Sequence, residues 1–119
     1  VRAYCHSRPN TICMTHMSHV YPQGANLYFI FLAKMSSLEE FKAYHAGILD
    51  AIQKSGAAMS HHHGIGKMFG PWLEGAVGRN EYGVIRALKQ YFDPDNIMNP
   101  GGTLGLDVPQ EEKRFLKAL

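Results

Sequence analysis

Hydrophobic and polar side chains alternate near the start of the chain, as they do in a half-buried β-strand. In residues 11–20 one parity is taken by Ile12, Met14, His16, Ser18 and Val20, and the other by Cys13, Thr15, Met17 and His19. The turn formers of Tyr21-Pro22-Gln23-Gly24 link this segment to the apolar run 27–33. The pattern predicts a β-hairpin. The unbroken apolar run predicts that both faces of the second strand are covered.

A helix is predicted after the hairpin. Ser36 and Ser37 are good N-cap residues, and Glu39 and Glu40 follow them at capping-box spacing. Leu38, Phe41, His45, Ile48 and Ile52 then recur at helical spacing, and the segment Lys54-Ser55-Gly56 is a typical helix end. We expect this helix to lie on the sheet, with His45 at the edge of its apolar stripe. Gly47 within the helix indicates a close contact there.

The remaining segments give weaker signals. Ala57-Ala58-Met59 predicts one further short strand, and residues 68–73, with Pro71 and the single Trp72, predict a compact connection. Asn80 is placed to cap a helix over residues 81–92. Turn formers fill the segment 93–101, which predicts an ordered, extended connection.

Both ends of the chain are expected to pack on other parts of a longer protein. Residues 1–10 are mostly polar and are interpreted as a lead-in whose packing partner lies upstream. A short helix is predicted from Pro109 onward, with Phe115, Leu116 and Leu119 as its apolar residues. Together the elements predict an α+β fold: an antiparallel sheet, the hairpin plus a further strand, covered by helices in a ferredoxin-like arrangement.

Composition narrows the class of protein. With 119 residues and 45% hydrophobic residues, the chain can form one domain, too small to carry a large cofactor fold of its own. The net charge of +2 is spread without a basic stripe, which argues against a nucleic-acid partner. No apolar stretch approaches the roughly 18 residues of a spanning helix. Cys5 and Cys13 have no metal or redox spacing and fit reduced thiols in an intracellular protein. Because the sequence opens at Val1, we expect it to be a fragment.

The segment Ser60-His-His-His-Gly-Ile-Gly-Lys67 concentrates most of the chemistry. His61, His62 and His63 can donate, accept or carry a proton near neutral pH. Gly64 and Gly66 allow a ligand to approach the backbone, and Lys67 adds a positive charge. A purification-tag remnant, a solvated loop and a metal-binding module are the competing interpretations. Adjacent histidines cannot easily all bind one ion, and no Cys or carboxylate is spaced to complete a site with His16 or His19. In a regular strand His16 and His19 lie on opposite faces, which argues against their being a metal pair. From composition alone, Tyr28 is interpreted as structural.

Three stretches resemble one known family: Ser18-His19-Val20-Tyr21 with Leu27-Tyr28-Phe29, then residues 60–67, then residues 92–101. Their combined order is similar to the C-terminal part of FAD-linked oxidases of the vanillyl-alcohol oxidase superfamily, most closely the alkyldihydroxyacetonephosphate synthases. The resemblance implies that residues 11–92 belong to the substrate-side cap domain and that residues 93–119 form a return segment and terminal helix. The hairpin sheet would then be half of a flavoenzyme cap.

The resemblance also implies roles for individual residues. Tyr28, His61, His62 and His63 take the catalytic positions, and Lys67 takes a substrate-binding position. His62, His63, Gly64, Gly66 and Asn99 take cofactor-binding positions. The cofactor is FAD, bound mainly by a flavin-binding domain of the same protein that lies upstream of this chain, and the substrate is a small molecule or lipid.

The reaction implied by the synthases is exchange of a fatty acyl group for an alkyl ether on dihydroxyacetone phosphate. The related FAD-dependent 2-hydroxy-acid dehydrogenases carry an acid where His62 stands, so His62 favours the synthase. Their oxidation reaction is the alternative, and a His-cluster metal-binding module or a ferredoxin-like interaction domain would be non-enzymatic alternatives. The sequence leaves open the oligomeric state, and whether the protein is cytoplasmic or peripheral to a membrane.

Overall fold

The computed structural model describes residues 1–115. The elements are α1 (Arg2–His6), β1 (Thr11–Tyr21), β2 (Gly24–Ala33), α2 (Leu38–Lys54), α3 (Gly66–Val77), α4 (Arg79–Phe92) and a 3₁₀ helix, Gln110–Glu112. The chain divides into two compact units, Val1–Ile52 and Gln53–Leu119. The α+β arrangement confirms the predicted fold class.

The sheet of the described residues has two antiparallel strands, β1 and β2, so the predicted hairpin is confirmed. The further strand predicted at residues 57–59 is wrong, because these residues adopt no regular structure. A three-residue segment containing two alanines has little β-propensity, and a strand requires a neighbouring edge to pair with.

The hairpin register assigns side chains to two faces, because residues paired across an antiparallel ladder share a face. Cys13 pairs with Phe31 and Thr15 with Phe29. This face packs under α1 and α2, where the buried residues of the cluster are Cys5, Cys13, Tyr44 and Ile48. Both cysteines are free thiols. The core of the first unit therefore lies on one side of the hairpin.

The opposite face of the hairpin is not covered by other described residues. Ile12 pairs with Leu32 and Met14 with Ile30, and their exposed fractions are 61%, 63%, 50% and 51%. The prediction that both faces of β2 are covered is therefore wrong for this chain. Among the described residues, α1 and α2 pack on a single face of the hairpin, so the apolar run alone did not show that the other face is exposed.

Helix α2 forms as predicted, and its capping side chains are visible. The Ser37 hydroxyl accepts a hydrogen bond from the Glu40 amide at 3.1 Å, and the Glu40 carboxylate accepts one from the Ser36 amide at 2.7 Å. This arrangement resembles a capping box, except that the carboxylate accepts from the amide one residue before the N-cap Ser37 and not from the N-cap amide itself. A β-carbon on Gly47 would overlap the Tyr4 ring, which confirms the predicted close contact.

Residues 1–10 are more ordered than the predicted lead-in. Residues 2–6 form α1, and Cys5 is fully buried against the hairpin. The prediction missed this helix because five residues are too few for a helical period to be visible in the sequence. Its packing partner is therefore β1 and α2, within the same unit.

Helix α3 replaces the predicted connection at residues 68–73. Pro71 lies inside the helix, where it removes one backbone hydrogen bond. Its carbonyl accepts a hydrogen bond from the Arg114 amide at 2.8 Å. Trp72 and Leu73 are buried. Burial of these side chains outweighs the proline penalty, which local propensity alone cannot show.

Helix α4 forms as predicted but begins at Arg79, with Gly78 and not Asn80 at its N-cap. Gly78 has φ 98°, a conformation that favours glycine. The Tyr82 ring on α4 is buried at 1% exposure, and its hydroxyl donates to the Leu104 carbonyl at 3.3 Å. The pKa of Tyr82 is raised above its ordinary value, mainly because the side chain is buried.

A buried ion pair attaches the last described residues to α3. Lys113 Nζ lies 2.7 Å from Glu74 Oε2, and the same ammonium lies 4.7 Å from the centre of the Tyr82 ring. The predicted terminal helix is limited to Gln110–Glu112 among the described residues, and Leu116 and Leu119 lie outside them. The described part of this segment is thus attached within its own unit through Lys113, whereas the predicted docking of Phe115, Leu116 and Leu119 stays a prediction.

Two backbones meet where α3 passes the segment after α4. A β-carbon on Gly70 would lie 2.8 Å from the Gly105 α-carbon and 3.1 Å from its nitrogen. Only glycine permits this approach, because any side chain would push the backbones apart.

We predict that Gly70→Ala lowers the free energy of unfolding by about 1–3 kcal/mol through overpacking. Gly83→Ala in α4 is the matched control, because its β-carbon would meet nothing within 4 Å. It should raise stability by about 0.5–1 kcal/mol through helix propensity. Urea unfolding monitored by circular dichroism measures both changes, and equal effects from the two variants would contradict the close backbone contact.

Candidate functional site

Tyr28 lies on the face of the hairpin that points away from α1 and α2. It pairs directly with His16 across the ladder, and the two ring centroids are 5.9 Å apart with planes 33° apart. Tyr28 is half-buried, whereas the aliphatic residues on the same face are exposed. The hairpin therefore holds a phenol on a sheet face that α1 and α2 do not cover.

A β-bulge brings a second imidazole to Tyr28. The ladder skips His19, since Ser18 pairs with Asn26 and Val20 with Ala25. His19 has φ 51°, and its ring centroid lies 6.4 Å from that of Tyr28. The expectation that His16 and His19 lie on opposite faces is wrong, because it assumed a regular strand and a bulge shifts the parity by one residue.

The three adjacent histidines lie in the second unit, in the exposed loop before α3. The Nδ1 atoms of His61 and His62 are 2.8 Å apart, so one of these nitrogens donates a proton and the other accepts it. The rings of His62 and His63 are also in contact, with their centroids 4.1 Å apart and an angle of 71° between their planes. The loop therefore presents three imidazoles in successive contact, two of which share a proton.

The glycines of this loop leave open space beside the backbone. Gly64 has φ 80° and Gly66 has φ 55°, and a β-carbon at either position would meet nothing within 4 Å. Positive φ values favour glycine here, and a flat ligand edge can approach the backbone without meeting a side chain. Gly66 also begins α3, a helix of 12 residues.

Lys67 and the segment 99–101 lie close together in the second unit. The Lys67 Nζ atom would be 3.7 Å from a β-carbon on Gly101. Asn99 adopts φ 52°, and its carbonyl accepts hydrogen bonds from the Gly102 amide at 3.1 Å and the Thr103 hydroxyl at 3.0 Å. The structure thus brings the candidate residue Lys67 next to Gly101, two positions along the chain from the candidate residue Asn99.

Asp93 organises this segment, a role that the sequence analysis missed. Its carboxylate accepts hydrogen bonds from the Ile97 and Met98 amides, each at 2.9 Å, and pairs with Lys89 Nζ. The bond from Lys89 is the main cause that lowers the pKa of Asp93, and the two amides add to it against desolvation. The segment is therefore a compact series of turns, not the extended connection predicted. An aspartate followed by turn formers is the local signal for such a carboxylate cap.

A second aspartate that the sequence analysis missed supports the same turns. Asp107 accepts hydrogen bonds from the Gly101 amide at 2.8 Å and from the Asn96 side chain at 3.2 Å. Its contacts are 6 and 11 residues away in sequence, so no short motif reveals them. The Asn99 turn is thus supported from both ends by carboxylates.

Within residues 1–115, no group of three or more His, Cys, Asp or Glu side chains converges as metal ligands would. Among the same residues, no helix has both the length and the apolar character that crossing a bilayer requires.

Comparison with known proteins matches residues 1–103 to the family described as FAD linked oxidases, C-terminal domain. The chain belongs to this family. The predicted family resemblance is thereby confirmed, and FAD is the cofactor that membership implies.

The curated relatives include alkyldihydroxyacetonephosphate synthases. The chain is 39% identical over 95 residues to the synthase of Dictyostelium discoideum, and the aligned segment covers 77% of this chain and 15% of the relative. It is 33% identical over 106 residues to that of Trypanosoma brucei brucei, covering 87% of this chain and 17% of the relative. An uncharacterized FAD-linked oxidoreductase, YgcU of Escherichia coli O157:H7, is 34% identical over 103 residues, covering 81% and 21% respectively. No solved structure gives a significant match.

The second unit offers groups that fit part of a flavin. The open backbone at Gly64 and Gly66 would admit the edge of a planar ring, and the exposed imidazoles of His62 and His63 supply donors or acceptors beside it. The chain spans about a fifth or less of the relatives it matches, so these residues form only a small part of the full protein.

We predict that Asp93 stabilises the fold in a pH-dependent way. Because its pKa in the folded state is below the ordinary 3.8, the contribution is fully present above pH 4 and is lost as pH falls through the lower folded-state value. Asp93→Asn should therefore lower stability at about pH 7, and the difference from the unmodified protein should shrink as the pH falls below the ordinary pKa of 3.8.

Urea unfolding at several pH values measures this difference. Asp95→Asn, at an exposed position two residues along, is the control and should change stability by less than about 0.5 kcal/mol at every pH. An Asp93→Asn effect that does not change with pH would show that the ionised carboxylate is not what stabilises the turns.

Proposed function

We propose that this chain is the substrate-side C-terminal part of an FAD-dependent enzyme that makes alkyl dihydroxyacetone phosphate. In this reaction a long-chain alcohol replaces the fatty acyl group of acyl-dihydroxyacetone phosphate, and a fatty acid is released without net oxidation. The observation that carries the proposal is the exposed run His61–His63 beside Lys67, in a chain 39% identical to a protein named as such a synthase. A flavin-binding domain of the same protein lies upstream in this proposal.

In this proposal Tyr28 is the group that moves a proton at the reacting carbon of the substrate. A phenol can act as a general acid or base when it is held rigidly and can reach the substrate. Both conditions are supported by its position on β2, half-buried on a face that α1 and α2 leave open.

The histidine run and Lys67 supply the polar groups for a phosphorylated ketone. Imidazoles can orient the substrate oxygens, and an ammonium group is suited to a phosphate. The 2.8 Å contact between the Nδ1 atoms of His61 and His62 supports this role, because a hydrogen bond between the two rings fixes their mutual orientation. In this proposal, therefore, His61, His62 and His63 are catalytic and Lys67 binds the substrate.

The same loop faces the cofactor in this proposal. His62, His63, Gly64, Gly66 and Asn99 would hold FAD together with the upstream domain. When bound, FAD supplies the electron-accepting ring at which the substrate carbon reacts. The residues of this chain contribute hydrogen bonds and an open backbone, and most of the flavin contacts come from outside it.

Oxidation of a 2-hydroxy acid is the second candidate function. The observation favouring oxidoreduction is the 34% identity to a relative named as an FAD-linked oxidoreductase. The two reactions differ in electron balance, since the exchange consumes no electron acceptor and the oxidation requires one.

We predict that the full-length, flavin-loaded protein converts acyl-dihydroxyacetone phosphate and labelled hexadecanol into labelled alkyl product and free fatty acid in equal amounts. Mass spectrometry measures both products, and omission of an electron acceptor should change neither. Reduction of a dye by 2-hydroxy acids, with no alkyl product, would reject the exchange reaction in favour of oxidation.

We predict that Tyr28→Phe and His63→Ala each lower turnover of the full-length protein by at least about 100-fold, because each removes a proton-transferring or orienting group. Flavin absorbance should remain, since most of the cofactor contacts lie elsewhere. Tyr21→Phe is the matched control, because it removes an exposed hydroxyl from the same hairpin. Near-normal turnover in both Tyr28→Phe and His63→Ala would contradict the proposed roles.

A further inference from the structure

Tyr28 is flanked by two imidazoles on its sheet face. His16 faces it across the ladder at 5.9 Å between centroids, and His19 lies at 6.4 Å. Both distances fall within the range in which aromatic rings interact. The other side chains farther along this face are apolar: Ile12, Met14, Ile30 and Leu32. The two imidazoles therefore differ from them in being able to form hydrogen bonds close to Tyr28.

The bulge is the feature that makes the second contact. In a regular strand His19 would point to the α1 and α2 side. A left-handed conformation costs about 1–2 kcal/mol for most residues other than glycine and asparagine. Here the strand adopts φ 51° at His19, and the ring reaches Tyr28. Bulges are frequent next to active sites, where they redirect a side chain. The bulge in β1 therefore places a second imidazole next to Tyr28.

We propose that His16 and His19 are positioning residues for Tyr28. This inference rests on the proposed function of Tyr28 in proton transfer. The two imidazoles hold the phenol in one orientation on the sheet face. They act through Tyr28 and do not themselves react with the substrate.

The expected effect is a change in kcat without a matching change in KM. Misplacement of a reacting group by about 1 Å can lower the rate by about 100-fold. Removal of one of two flanking rings should therefore lower kcat by roughly 10- to 100-fold and leave KM within about twofold. A substitution that loosens only the sheet would instead lower thermal stability.

His19→Asn is the decisive variant. Asparagine tolerates positive φ, so it keeps the bulge while removing the imidazole. His19→Gly also keeps the bulge, and if the ring is what matters both variants should lose activity equally. His16→Phe keeps a ring across from Tyr28 and should retain more activity than His16→Ala. His6→Asn, at an exposed position of α1, is the control and should leave the activity unchanged.

The experiment measures single-turnover kinetics of the full-length, flavin-loaded protein for these variants alone and combined with Tyr28→Phe. A residue that acts through Tyr28 has no further effect once the phenol is gone. We therefore expect His19→Asn to lower the rate in the unmodified background and to change it less than twofold beside Tyr28→Phe. An equal loss in both backgrounds, or full activity of His19→Asn, would overturn the inference.

A spectroscopic measurement separates this inference from the proposed function. The fluorine resonance of fluorotyrosine at position 28 should shift in His19→Asn and His16→Ala, whether or not Tyr28 is catalytic. An active Tyr28→Phe enzyme would reject the role of Tyr28 and leave the measured contact intact. An unshifted resonance in both histidine variants would reject the positioning contact itself.

Discussion

The register of the β1–β2 hairpin is the constraint on which the first unit depends. Because the side chains of a strand alternate, one register decides which residues meet α1 and α2 and which remain on the open face. Cys13 and Phe31 go to the core, whereas Tyr28 and His16 go to the open face. A shift by one residue would bury the phenol and expose the core, so the candidate chemistry and the packing are fixed together.

The second unit depends on backbone approach and carboxylate capping more than on a large core. Gly70 and Gly105 let two segments touch without side chains between them. The Asp93 carboxylate accepts hydrogen bonds from two backbone amides and pairs with the Lys89 ammonium, and the Asp107 carboxylate accepts a hydrogen bond from a further backbone amide. These polar contacts hold the turns around Asn99 in a segment where most side chains are exposed. The loop of three histidines precedes α3 in the same unit, so its end at Lys67 meets an already ordered segment.

Elements with a strong local pattern were predicted well. The hairpin has both strand alternation and a proline-glycine turn, and α2 has an apolar stripe with capping residues at each end, so local preference and packing agree. The predictions that were wrong concern segments in which local preference and packing disagree. Helix α3 contains Pro71 and three glycines, yet burial of Trp72 and Leu73 stabilises it. The segment 57–59 has apolar residues but no strand edge to join. Most of the candidate site could be named from motifs, whereas Asp93, Asp107 and the grouping around Tyr28 could not.

Residue type and spacing alone are sufficient to select the run His61–His63 and Lys67, because they are written directly in the chain. Tyr28 became a candidate only through the family resemblance, since composition alone indicated a structural role. The motifs also led to the FAD-linked oxidase family, which the match over residues 1–103 confirmed. Packing was needed for everything that depends on three-dimensional neighbours. The side of the hairpin on which Tyr28 lies, the bulge that turns His19 towards it and the approach of Lys67 to Gly101 all arise from contacts between residues or from a local break in periodicity. A linear pattern assumes regular strands and isolated segments, so it cannot contain these contacts.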